Sequence, residues 1–87
     1  MTDQMLLEFP CSFPLKIMGR NEPHFEQFVV EIVRTHAGSA ALEDVTSRVS
    51  RNARYLAVTV TFTAESRTHV DAIYQALTDS GQVLFLL

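Results

Sequence analysis

The chain has a single cysteine, Cys11, among 87 residues, so no internal disulfide can form. That scarcity favours a reducing compartment. A basic excess is missing too: seven Lys and Arg stand against ten Asp and Glu, for a formal net charge of −3. A general nucleic-acid binder displaces counterions from phosphate with surplus cations, so that role is not expected. No stretch approaches the roughly 20 consecutive apolar residues that a membrane-spanning helix needs. The opening MTDQMLLEF has neither the basic n-region nor the long apolar h-region of a secretion signal. The expectation is a cytoplasmic protein with neither a nucleic-acid nor a membrane partner.

Catalytic and metal-binding signatures are scarce as well. Gly19 stands alone rather than in a Gly-rich phosphate loop, and no G-x-S-x-G elbow occurs. His24, His36 and His69 fall in different elements, without an i, i+4 pair or a second cysteine, so no metal site is expected. A reactive thiol needs a nearby base or helix N-terminus, and Cys11 has neither in its neighbourhood, so it is expected to be inert. No catalysis and no cofactor are therefore expected.

What is present is an ordinary globular mix, 47% apolar and 20% charged, enough for one domain and no second core. Stability at this size is marginal, and a partner surface would add to it. The hydrophobic period switches between 2 and 3.6 in a regular order. Phe13, Leu15 and Ile17 alternate with Pro14, Lys16 and Met18, which predicts a strand over 12–18. Gly19 is expected to break it, Asn21 to cap a helix, and Pro23 to sit in that helix's first turn. Phe25, Phe28, Val29, Ile32 and Val33 then recur at helical spacing, and His36 and Gly38 suit the closing turn. EDVTSRVS alternates, with Val45 and Val49 opposite Thr46 and Arg48, and RNA reads as a hairpin turn. YLAVTVTFT is a strong strand, with Leu56, Val58, Val60 and Phe62 on one face and Ala57, Thr59 and Thr61 on the other. A second helix starts near Ser66 or Thr68 and carries Val70, Ile73, Tyr74 and Leu77. QVLFLL is the last strand.

The order βαββαβ predicts an α+β, two-layer, ferredoxin-like sandwich. Its four-stranded antiparallel sheet carries both helices on one face, with the first and third strands central. Residues 1–10 read as an N-terminal extension and 11–87 as the single domain. On the uncovered face, Lys16, Met18, Leu84 and Leu86 are expected to form an apolar interaction surface, with Val83, Phe85 and Leu87 turned inward. An apolar edge of this kind invites cover, so a second subunit or Met5–Phe9 is expected over the fourth strand. Arg48, Arg51 and Arg54 cluster around the hairpin and suit an anionic ligand or an acidic partner, although a solvated turn explains them as well. Met18, Gly19, Arg20 and Asn21, leading to a helix N-terminus, are the candidate site for a small carboxylate or phosphate. Their ordinary reading is turn chemistry. The open positions of the central strands lack the stacking aromatics of an RNA-binding sheet, Tyr55 excepted.

LLEFP at 6–10, Phe13, KIMG at 16–19, the alternating strand opened by Tyr55 and the short apolar last strand resemble the YbeD-like family of small bacterial proteins. The resemblance runs from Leu6 to Leu87. Ala53 departs from it where glycine is expected, and Leu84 where a basic residue is expected. It implies a ferredoxin-like fold similar to ACT domains, modules that regulate metabolic enzymes by binding amino acids. It also implies no established enzyme activity and a suggested link to lipoate metabolism. The ACT likeness points to Met18–Asn21 as the ligand junction. The resulting expectation is a small non-enzymatic regulatory or protein-interaction module. It would have a protein partner, or form a homodimer through the open sheet face or an edge strand. The alternative is an ACT-like sensor of a small carboxylate or amino acid at that junction.

Overall fold

The structure, a computed structural model, describes residues 8–38 and 41–86. Strand β1 spans Cys11–Arg20, helix α1 Phe25–Ala37, strand β2 Leu42–Val49, strand β3 Tyr55–Ala64, helix α2 Arg67–Asp79 and strand β4 Val83–Leu86. The sheet order is β2-β3-β1-β4, every pair antiparallel, with β1 and β3 central as their alternation predicts. Alternating positions of one sheet face meet the apolar stripes of both helices. Leu15, Ile17, Val58, Val60 and Phe62 pack against Phe25, Val29 and Val33 of α1 and Val70, Ile73 and Leu77 of α2. Burial of such side chains, at about 1.5–3 kcal/mol each, is the main favourable term of the fold. Phe28, assigned to the apolar stripe of α1, instead lies at its exposed border. Phe9, placed in the N-terminal extension, leans on the core, whereas residues 1–7 lie outside the described residues.

The helix termini are built from local chemistry. Ser66 caps α2 by accepting a hydrogen bond from the His69 backbone N–H at 3.1 Å. The His69 ring then ties the two helices together. Its Nδ1 accepts from the Glu65 N–H at 3.1 Å and its Nε2 lies 3.2 Å from the His36 carbonyl oxygen. With both ring nitrogens engaged, His69 serves packing rather than metal binding. Gly38 closes α1 at φ 92°, its N–H donating to the Arg34 carbonyl.

Three expectations for the chain around Gly19 are corrected. The strand does not break there: β1 runs on to Arg20, with Gly19 opposite Leu56 on one side and Val83 on the other. Glycine is required for space rather than for an unusual φ. A Cβ at this position would collide with the ring of Phe25 and come within 2.9 Å of the Gln82 carbonyl oxygen. Asn21 does not cap α1 either, because His24 occupies that position. The Asn21 side chain donates to the Ala53 carbonyl at 3.0 Å and its backbone N–H to the Arg54 carbonyl at 2.9 Å. This latch braces the β2–β3 turn, in which Ala53 adopts φ 61°, a left-handed conformation that glycine takes more cheaply.

The fourth correction concerns β4. Met18 pairs with Phe85 but Gly19 with Val83, so Leu84 is an extra residue and a bulge reverses the parity of the strand. Leu86, opposite Ile17, therefore turns to the core with Val83. Phe85, expected inside, lies beside Met18 and is 63% exposed. Leu87 lies outside the described residues.

Replacing Gly19 with Ala forces the Phe25 ring to move and is expected to destabilise the fold by about 1–3 kcal/mol. A lowered urea midpoint with an unchanged m-value checks this.

Candidate functional site

Both helices lie on one face of the sheet, and its other face carries the side chains that can meet a partner. The strand register sorts these side chains into rows. Arg20 stands opposite Tyr55. Next comes Arg48–Ala57–Met18–Phe85, then Thr46–Thr59–Lys16, then Asp44–Thr61–Pro14. Ala57 is small and central, so the longer side chains around it leave a hollow. One depression of about 290 Å³ is lined by Lys16, Thr46, Ser47, Arg48, Ala57 and Thr59. A second, of about 140 Å³, adjoins it through Lys16, Arg48 and Ala57 and reaches Met18 and Tyr55.

Two groups of residues that look separate in sequence meet here. Lys16 and Met18 of the expected interaction surface share the hollow with Arg48 of the basic hairpin. Arg51 and Arg54 stay in the exposed turn outside it, and Leu84 lies exposed at the bulged edge. Phe85, Ala57, Thr46 and Thr59 belong to the same face and were not singled out as site residues. Period-2 alternation placed the two threonines and Ala57 on it, but only the bulge brings Phe85 there.

The proposed ligand junction is not one cluster. Met18 and Arg20 face the open side, Gly19 lies under Phe25, and Asn21 is spent on the hairpin latch. Three of its backbone donors are committed: Asn21 N–H to the Arg54 carbonyl, Glu22 N–H to the Arg20 carbonyl at 2.9 Å, and Phe25 N–H to the Glu22 carbonyl at 3.1 Å. The nearby hollow against α1, lined by Glu22, His24, Phe25, Phe28 and Gln82, contains an acid rather than a cation.

The open face has an electrostatic polarity. At its far end the bulge at Glu43 carries that carboxylate over β3, where it accepts from Ser12 Oγ at 2.6 Å and Thr63 Oγ1 at 2.7 Å. The bond from Ser12, followed by that from Thr63, holds the Glu43 carboxyl below the ordinary glutamate range. At the near end, Lys16 and Arg48 have no acidic partner among the described residues, and the side chains of Thr46 and Thr59 have no hydrogen-bond partner there. The two ion pairs among the described residues, Arg34–Glu31 and Arg67–Asp71, lie on the helices. Among the described residues, no three His, Cys, Asp or Glu side chains gather as a metal site requires. Among the described residues no helix is long and apolar enough to cross a membrane.

Comparison with known proteins bears on this geometry. The family model described as "Protein of unknown function (DUF493)" matches residues 4–87. The chain belongs to this family. DUF493 is the YbeD-like group that the LLEFP and KIMG blocks resemble. Similar chains include a UPF0250 protein of Nitrosomonas europaea, 46% identical over 87 residues and covering 100% of both chains. A UPF0250 protein of Chromobacterium violaceum is 48% identical over 84 residues, covering 97% of this chain and 94% of that one. Protein HP0495 from H. pylori superimposes with a TM-score of 0.74 at 15% identity, over 93% of this chain and 85% of that one. The C-terminal domain of the MgtC protein from Mycobacterium tuberculosis gives 0.70 at 10% identity, over 94% and 89%. The two structures establish the ferredoxin-like fold for this DUF493 chain and carry no function to it.

Glu43 supplies a pH test of the far-end brace. A lowered folded-state pKa gives stability that is present above the unfolded value and lost as pH falls through the folded one. The wild type is therefore expected to exceed Glu43→Gln in urea midpoint at pH 7, with the gap closing as pH drops below about 4.5. A gap independent of pH would show that the carboxylate is not what Ser12 and Thr63 hold.

Proposed function

We propose that this protein is a non-catalytic regulatory or interaction module that docks a protein partner on the open face of its sheet. The observation that carries the reading is Phe85, 63% exposed beside Met18, next to the hollow over Ala57. A large aromatic side chain turned into water by a bulge contributes little to its own fold. Aromatic and Met side chains are enriched where partners bind. The hollow lies open on a sheet face rather than enclosed in a cleft, which favours a macromolecular partner over a substrate. The single cysteine supports a cytoplasmic setting. The link to lipoate metabolism implied by the family resemblance names a first set of partners to try. The small-carboxylate reading at Met18–Asn21 has no comparable support, because Asn21 bonds the hairpin through both its side chain and its backbone N–H.

The test compares two exposed aromatics on opposite sides of the molecule. Affinity capture from the native cytoplasm is expected to lose its partner with Phe85→Asp and to keep it with Phe28→Asp on α1. Both variants should remain folded with a cooperative urea transition, because neither ring belongs to the buried core. Equal capture by all three proteins would remove the open face as the interface.

A further inference from the structure

We infer that the open face takes an extended acidic segment of its partner, with one carboxylate seated between Lys16 and Arg48 and an apolar side chain two residues away on Met18 and Phe85. This rests on the docking reading above and adds the chemistry of what docks. The lining of the hollow includes the cations Lys16 and Arg48 and the hydroxyls of Thr46 and Thr59, none with a side-chain partner among the described residues. All four can donate to a carboxylate, and bonds from a cation to a carboxylate are the stronger kind. Lys16 is the chain's only lysine, and it lies on a central strand rather than at a solvated loop.

The spacing selects an extended segment. Lys16 and Met18 are two residues apart on the same face of β1, about 6.6–6.8 Å along the strand. Alternate side chains of an extended peptide repeat at the same interval. A segment running along β1 with the pattern acidic–x–apolar would set its carboxylate at Lys16 and its apolar group at Met18 in one register. Acids bound the cationic part of the face on one side: Asp44 stands in the row next to Lys16, and Glu43 beyond it is already bonded to Ser12 and Thr63. The segment's negative charge is attracted to one end and repelled from the other, which fixes its register and adds specificity.

The test uses the full chain labelled with ¹⁵N and three octapeptides, two repeats each of Glu-Ser-Leu-Ser, Gln-Ser-Leu-Ser and Lys-Ser-Leu-Ser, called Glu-Leu, Gln-Leu and Lys-Leu after the residues that share one face. The Glu-Leu peptide is expected to shift the amides of Lys16, Met18, Arg48, Ala57 and Thr59 and to bind at least about tenfold more tightly than Gln-Leu. That advantage should shrink as salt rises. The double variant Lys16→Gln, Arg48→Gln, with an otherwise wild-type spectrum, is expected to lose the preference. Zero-length carbodiimide coupling is expected to join the peptide carboxylate to Lys16. Equal binding of Glu-Leu and Gln-Leu overturns the inference but leaves apolar docking intact, whereas loss of partner capture by Phe85→Asp alone tests docking itself. Shifts of the same amides produced equally well by citrate or inorganic phosphate would mark a small-anion site and overturn it. Displacement of the peptide by a single-stranded oligonucleotide at lower concentration would overturn it too. No shift at these amides at millimolar Glu-Leu would do the same.

Discussion

The ring of Phe25 occupies the space that a Cβ on Gly19 would need, and much of the molecule's layout follows from that close approach. It lets the first turn of α1 settle directly on the sheet, so that β1 can continue beneath it to Arg20 and pair on both sides. At the same residue β4 absorbs its extra leucine. The bulge keeps Val83 and Leu86 in the core and puts Phe85 on the opposite face next to Met18. Helix packing and the composition of the uncovered face are thus linked through one glycine.

The two ends of that face differ in how far their polar groups are satisfied. At one end, Glu43 ties β1, β2 and β3 together through Ser12 and Thr63. At the other, Lys16, Arg48, Thr46 and Thr59 surround a small alanine. Exposed charges without partners cost little, and exposed ion pairs bring at most about 1 kcal/mol, so stability does not select either arrangement strongly. What separates them is availability: one end is consumed by the fold and the other is free to bind. The same contrast holds at the β1–α1 junction, where Asn21 is consumed by the hairpin latch.

The element order and the inward faces of β1, β3 and both helices were legible because periods of 2 and 3.6 leave plain traces in sequence. The outward faces of β1, β2 and β3 followed from the same alternation. The parity of β4 was not legible, because an extra leucine in a run of leucines carries no mark of a bulge. Gly19 was read as a break because sequence does not distinguish a glycine that supplies an unusual φ from one that supplies room. Asn21 was read as a cap because its true partner, Ala53, is 32 residues away. Alternation puts Lys16 and Arg48 on outward faces, but only the pairing of both strands with β3 shows that they border one hollow.

The presence of a single lysine makes the central claim directly measurable. The rate at which an amine-reactive reagent modifies Lys16 can be compared between the purified protein and the protein in its native cytoplasm, read by mass spectrometry. Occupation of the open face by a partner is expected to slow modification several-fold in the cytoplasm, with Phe85→Asp restoring the purified rate. Identical rates in both settings would contradict a partner on this face.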